Sequence, residues 1–419
     1  MTLLSWWSRR RGICDLADSA GHDLGCSVAP VAPHERIHAL DALRGLALLG
    51  VLAINLETEF RISIFQAFIG PSPDRGLARL VDAALDVFVD LKAFAVFSLL
   101  FGIGLAIQHQ RLERQPRRVE LLARRLLALL AIGLIHLLLI WNGDILTEYA
   151  VAGFLVLPVL FAPIWLLAAA SAACFAVYVT MPIFPPIASL PPHDWLVEHV
   201  QAATRIYGSG DFGQILWFRI AEVSALLPLH IAIFPRTLGL FLFGVLLWRT
   251  GVMEEPGRHQ RWLLSAAALG IATGLLGTLA TSAREYSPWP PIGQMADFVG
   301  PAATIVLALG YACLVIVVSM NRRRWLAWAE PIGRMAFTNY IIQSLLLGWI
   351  FYGYGLGWFG QIGSVAGVGL VILIYAMQGL YSRWWLKHFS YGPIEWFWRL
   401  LMYGRRSAFV RGLPDPVSA

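Results

Sequence analysis

The sequence predicts an all-α, polytopic membrane protein with about ten transmembrane helices and both termini in the cytoplasm. Three observations predict it. Of 419 residues, 58% are hydrophobic and only 14% charged, a composition too apolar for a water-soluble chain of this length. The apolar residues gather in ten runs, each close to the ~20 residues a helix needs to cross a bilayer. The cations then alternate from loop to loop. Twenty-three Lys and Arg fall on the side assigned to the cytoplasm and six on the other, with Arg44, Lys92 and Arg236 inside helices. Such an asymmetry orients a membrane chain.

The elements follow in order. Residues 1–35 are polar and carry Arg9, Arg10 and Arg11. They lack an apolar core followed by a small-residue cleavage site, so they read as a flexible cytoplasmic tail and not as a signal peptide. Residues 36–383 form the transmembrane domain. Its spans are expected near 38–57, 83–108, 121–140, 144–162, 163–182, 231–249, 260–282, 297–319, 333–352 and 362–382, with Pro163 breaking the fourth from the fifth. The longest outer connection, 183–230, begins with Pro185, Pro186, Pro191 and Pro192. Its stretches 195–207 and 212–227 are patterned as amphipathic helices for the outer interface. Residues 384–419 read as an interfacial helix and tail, mixing Trp384, Trp385, Trp396 and Trp398 with Arg383, Lys387 and Arg399, which suits the inner headgroup layer.

Polar groups inside these spans are costly and usually face a protein interior or a water-filled cavity. In helix 1, Asp41 and Arg44 are three apart and share a face. Asn55 lies eleven residues beyond Arg44, about three turns and roughly 16 Å along the same stripe. Glu57 and Glu59 follow. Helix 2 enters with Asp86, Asp90 and Lys92, the two aspartates four apart. Helix 3 carries His136 near its outer end, and Asp144 and Glu148 follow across the turn at Asn142 and Gly143. Each has a plainer use. Asp144 suits the N-cap of helix 4, Asp86 and Asp90 complement a helix dipole and pair with Lys92, Asp41 and Arg44 neutralise each other, and His136 can be a packing residue. Gly102, Gly104, Gly239 and Gly244 read as small residues that let membrane helices approach, or as backbone yielding room to a ligand. Cys14, Cys26, Cys174 and Cys313 lack metal-ligand spacing, and no metal site is expected. There is no dinucleotide fingerprint and no ATP-binding loop.

Five stretches together resemble the YeiB-like family of bacterial membrane proteins, a domain of unknown function. They are RIHALDALRGLALLGVLAIN (36–55), FSLLFGIGLAIQ (97–108), RRLLALLAIGLIHLLLIWNGDIL (124–146), GRMAFTNYIIQSLLL (333–347) and GPIEWFWRLLMYG (392–404). The first also resembles the opening helix of transmembrane acyltransferases such as heparan-alpha-glucosaminide N-acetyltransferase. The resemblance implies a multi-pass protein of the bacterial plasma (inner) membrane that passes an acyl group from cytoplasmic acyl-CoA to an acceptor at the far face. It places Asp41 and Arg44 in the shared inner-end motif. The surface-sugar acyltransferases usually carry His eleven residues after that Arg; here the position is Asn55. The heparan enzyme is similar in having Asn there, with its His in the next outer loop, but residues 56–82 contain no His.

The expected mechanism therefore draws the base from helix 3. Arg44, beside Asp41, holds the anionic donor, acetyl-CoA or another acyl-CoA, since Arg binds phosphate bidentately. His136 acts as general base, oriented by Asp144 or Glu148. Asn55 donates to the thioester carbonyl. Expected partners are the lipid bilayer, the donor and an acceptor, with a homo-oligomer left open; nucleic acid is not among them. Two other classes use the same residues differently. A transporter of a small polar or anionic solute would bind it with these buried charges, and a non-enzymatic membrane scaffold would use them to hold helices together.

Overall fold

In the computed structural model, the described residues are 37–70, 75–184, 189–282 and 290–404, without the side chains of 183 and 290–297. The predicted tail 1–35 and the end of the chain after 404 lie outside them. Every regular element among the described residues is helical: α1 (His38–Asn55), α2 (Leu77–Phe88), α3 (Lys92–Arg111), α4 (Arg118–Ile135), α5 (Leu146–Val156), α6 (Ile164–Thr180), α7 (His193–Ser209), α8 (Phe212–Arg249), α9 (Gln260–Ser282), α10 (Pro290–Arg322), α11 (Glu330–Arg334), α12 (Ala336–Phe351), α13 (Ser364–His388) and α14 (Pro393–Tyr403). Among the described residues, seven helical stretches are long and apolar enough to cross a membrane, and α5, α6 and α12 are shorter apolar helices. The protein is thus built of membrane-spanning helices.

Two elements depart from the pattern expected of them. The amphipathic stretch 212–227 and the span 231–249 are one helix, α8, which runs through Pro228 and Pro235. At about 1.5 Å per residue its 38 residues are longer than the ~30 Å hydrocarbon core. The second span is interrupted instead. α2 ends at Phe88, and Leu91 (φ 58°) is the one non-glycine residue with positive φ among the described residues. Asp86 and Asp90 are therefore separated by a helix end and do not share a continuous face. Lys92, buried at the start of α3, donates from Nζ to the Asp86 carbonyl oxygen at 2.6 Å.

Close backbone contact holds the helices that shape the interior. α3 and α8 cross at Gly102 and Gly244. A Cβ on either would collide with a main-chain carbonyl, that of Phe241 or of Leu99, so the small-residue reading describes this crossing. Gly104 differs: no atom stands within 4 Å of where its Cβ would be, and it faces a cavity. α1 and α11 meet in the same manner, Gly45 against the Ala329 carbonyl and Gly333 against that of Asp41. Glu330 fastens this end, with Oε2 3.0 Å from His38 Nδ1 and Oε1 3.0 Å from Arg323 Nε.

Two helices end in a wider turn. α1 continues as a π turn over Leu56–Phe60, closed by the Arg61 N–H to the Leu56 carbonyl at 2.8 Å. α4 continues as a π turn over His136–Ile140, closed by the Trp141 N–H to the His136 carbonyl at 2.7 Å. Such turns insert an extra residue and re-aim the side chains around them, and they concentrate at functional sites.

Candidate active site

His136 begins the second π turn and is fully buried. Its Nδ1 is 2.8 Å from Asp144 Oδ1, and its Nε2 is 3.0 Å from Ser344 Oγ. Asp144 lies in the turn before α5 and caps that helix. It accepts the N–H of Leu146 at 3.2 Å and that of Thr147 at 2.7 Å. A carboxylate held by two backbone amides accepts only, so Nδ1 carries the ring proton and the Nε2 lone pair faces the Ser344 hydroxyl. Capping and orienting His136 are thus two uses of one side chain. Ser344 and Asp144 are 1% and 2% exposed. Ser344 also lies 3.3 Å from the Tyr340 carbonyl, one turn back on α12.

Two cavities flank this cluster. The larger, about 230 Å³, is lined by Arg44, Arg125 and Arg334 with Glu395, and also by Tyr149 and Tyr340. The Tyr340 ring in turn lies 5.2 Å from the His136 ring, centroid to centroid. Arg125 stacks over Trp398 at 4.3 Å, and Trp398 Nε1 donates to the Arg125 carbonyl at 2.9 Å. Arg44 keeps Asp41 within 3.0 Å. Three guanidinium groups against one lining carboxylate make the lining cationic. Glu395 is itself committed to the start of α12. It accepts the N–H of Phe337 at 2.8 Å, that of Thr338 at 3.1 Å, and the Thr338 hydroxyl.

The smaller cavity, about 10 Å³, lies beyond Trp141, whose ring meets the His136 ring edge-on at 6.1 Å. That is room for about one water. Its walls include Glu59, Asn142, Tyr207 and Glu222. Glu222 is saturated by Asn142 Nδ2 at 2.8 Å, His199 Nε2 at 2.7 Å and the Tyr207 hydroxyl.

The other expected site residues are placed as follows. Glu148 does not meet His136; it accepts from Thr237 Oγ1 at 2.5 Å and lies 3.3 Å from His230 Nδ1. Asn55 is buried, its Oδ1 has no hydrogen-bond partner, and it lines neither cavity. Glu57 pairs with Arg61 at 2.7 Å. Sequence reasoning did not single out Ser344 or Arg125. Ser344 stands 208 residues from His136, and no local spacing announces it. No three His, Cys, Asp or Glu side chains among the described residues converge as metal ligands.

Residues 247–405 match the family described as "Protein of unknown function (DUF418)". The chain is also 31% identical over 398 residues to the uncharacterized protein YxaH of Bacillus subtilis (strain 168), covering 90% of this chain and 96% of that protein. The chain belongs to the YeiB-like (DUF418) family. YeiB itself, from Escherichia coli (strain K12), is 27% identical over 391 residues, 88% of this chain and 96% of its own. A 39.9 kDa protein from the amylase 3' region of Bacillus acidopullulyticus is 29% identical over 391 residues, 90% and 96% of the two chains. In this YeiB-like chain Ser344, Tyr340 and Glu395 lie inside the DUF418 stretch. Arg44, His136 and Asp144 lie before it, so the site joins the two parts of the sequence.

Proposed function

We propose that this YeiB-like protein is an acyl-CoA-dependent transmembrane acyltransferase with His136 as its general base. The observation that carries the reading is the buried Asp144–His136 pair, whose imidazole packs on Tyr340, a residue that lines a cavity also lined by Arg44, Arg125 and Arg334. A base must stand within hydrogen-bond reach of the proton it takes, oriented by a second group. An anionic donor must be held by groups that match phosphate, as guanidinium does.

On this reading ten spans cross a bacterial plasma membrane, with both termini cytoplasmic. The cation asymmetry of the loops then puts the arginines of the cavity at the inner face. The nucleotide of acetyl-CoA stays at the mouth among Arg44, Arg125 and Arg334. Its thioester arm enters the apolar part, because 230 Å³ suits an arm and an acyl group, not the nucleotide. Asp41 steadies Arg44. His136 takes the proton of an acceptor hydroxyl or amine that approaches from the Trp141 side. Asn55 Oδ1 is buried without a partner; its amide would serve the thioester oxygen only after a rearrangement that brings it to the cavity. Glu148 shapes the acceptor side through His230 and Thr237.

Thermal stability of the detergent-purified protein against acetyl-CoA tests the donor. The midpoint is expected to rise with acetyl-CoA, and less so in Arg44→Ala. No shift at any concentration, with no label passed to any acceptor, removes the enzyme reading. A transporter reading draws on one observation, the helix break at Leu91 beside buried Lys92, since transporters bind solutes where helices are broken. Proton-coupled solute flux in liposomes without acyl transfer would favour it.

A further inference from the structure

We propose that Ser344 carries the acyl group in transit, as an oxygen ester, so that transfer proceeds in two steps. The inference rests on the acyltransferase reading and deepens it. Three relationships support it. The first is alignment: Ser344 Oγ, His136 Nε2 and Nδ1, and Asp144 Oδ1 form one chain with links of 3.0 and 2.8 Å, the arrangement that activates a hydroxyl as a nucleophile. Because Asp144 is fixed by the Leu146 and Thr147 amides, the ring cannot turn its lone pair elsewhere without breaking that pair.

The second is place. Ser344 follows Tyr340 by one turn of α12, and Tyr340 lines the cavity that holds the donor in the proposal. Ser344 does not itself line that cavity, so the Tyr340 ring must move aside when the donor reaches the hydroxyl. Trp141, on the other side of His136, borders the second cavity. An acyl group on Ser344 would stand between the two, and the second, at about 10 Å³, must widen to admit an acceptor. The third is dryness. Ser344 and His136 are 1% and 0% exposed, so an ester formed there is shielded from hydrolysis while it waits for an acceptor.

In the first step the Ser344 hydroxyl gives its proton to His136 Nε2, and Oγ attacks the thioester carbonyl carbon. The C–O bond forms, the C–S bond breaks, and the CoA sulfur leaves with the proton returned from Nε2. In the second step His136 takes the proton of the acceptor O–H or N–H. The acceptor atom attacks the ester carbonyl, and Ser344 Oγ leaves with the proton. Nothing is oxidised or reduced, and no further reactant is needed.

The test uses the full chain in detergent with [14C]acetyl-CoA and no added acceptor. Rapid quench measures CoA released, and digestion with mass spectrometry locates the label. The expected result is a burst of about one CoA per protein, with label on Ser344 that resists neutral hydroxylamine and yields to alkaline hydroxylamine. Ser344→Ala loses the burst and the label. Ser344→Cys restores the label as a thioester that neutral hydroxylamine cleaves. Turnover of acetyl-CoA by the wild type with no label at Ser344, or Ser344→Ala releasing CoA at the wild-type rate, overturns the two-step route and leaves single-step transfer standing. A wild type that neither binds nor cleaves acetyl-CoA overturns both.

Discussion

Asp144 Oδ1 lies 2.8 Å from His136 Nδ1 while the same carboxylate accepts two backbone amides at the start of α5. One residue therefore ends a helix and fixes a tautomer. The two roles separate by substitution. Asp144→Asn keeps an acceptor for the amides but loses the charge that steadies a protonated ring. Its acyl transfer is expected to fall about 10⁴-fold, the loss seen when the carboxylate that orients a catalytic His becomes an amide. Its thermal midpoint should stay near that of the wild type. Asp144→Ala loses the cap as well, at about 1 kcal/mol. CoA release and thermal melts on the pair check this; equal activity in Asp144→Asn and wild type would remove the orienting role.

Arg125 lies over Trp398 at 4.3 Å and lines the cationic cavity. A hydrogen bond to a charged group contributes about 1.5–3 kcal/mol, and about 1.4 kcal/mol is tenfold in affinity. Arg125→Ala is therefore expected to raise the Kd for acetyl-CoA at least about tenfold. Arg125→Lys should recover only part, because an ammonium neither stacks on indole as guanidinium does nor binds phosphate bidentately. Calorimetric titration of the three proteins measures it.

Gly333 has no room for a side chain against the Asp41 carbonyl. Gly333→Ala must push α11 away from α1, separating Arg334 from Arg44. Overpacking of this kind costs about 1–3 kcal/mol. The expected outcome is a lower thermal midpoint together with weaker acetyl-CoA stabilisation. Gly104→Ala, where nothing stands within 4 Å, should leave the fold unchanged and intrude on the cavity.

Burial pushes the Glu395 carboxyl above the ordinary 4.5 of a glutamate, against the Thr338 hydrogen bonds that pull it down. The folded protein thus holds this proton more tightly than the unfolded chain. The stability it confers is complete below about pH 4.5 and is lost as pH rises through the folded-state pKa. Glu395→Gln keeps an acceptor for the Phe337 and Thr338 amides and cannot ionise. Its thermal midpoint should lose the part of the wild-type pH slope that lies just above pH 4.5. An identical slope in both proteins would contradict this.

The fold was legible where composition and period decide it. Seven of the ten expected spans fall on helical stretches long and apolar enough to cross a membrane, the second with a break at Leu91, and the other three fall on the shorter apolar helices α5, α6 and α12, because a continuous apolar run near 20 residues has few other uses. The breaks were less legible. Pro163 does lie between α5 and α6, as the N-cap of α6, but α5 already ends at Val156 and a 3-10 turn over Pro158–Phe161 intervenes, while Pro228 and Pro235 sit inside one continuous helix. Leu91, with nothing in its identity to mark it, ends a run instead. The site was half legible. His136 and Asp144 are eight apart across a turn, near enough for sequence to join them. Glu148, four residues beyond Asp144, pairs instead with His230 and Thr237 on α8. Ser344 and Arg125 took their meaning only from tertiary contacts, and both π turns are departures of hydrogen bonding that residue patterns do not carry.

In the proposed function His136, fed from the arginine-lined cavity, drives acyl transfer. CoA release from acetyl-CoA by purified wild type and His136→Gln, with acetyl-CoA binding followed in parallel, tests it most directly. The wild type is expected to release CoA, and His136→Gln to bind acetyl-CoA yet release CoA only at the background rate. Release at the wild-type rate by His136→Gln would contradict it.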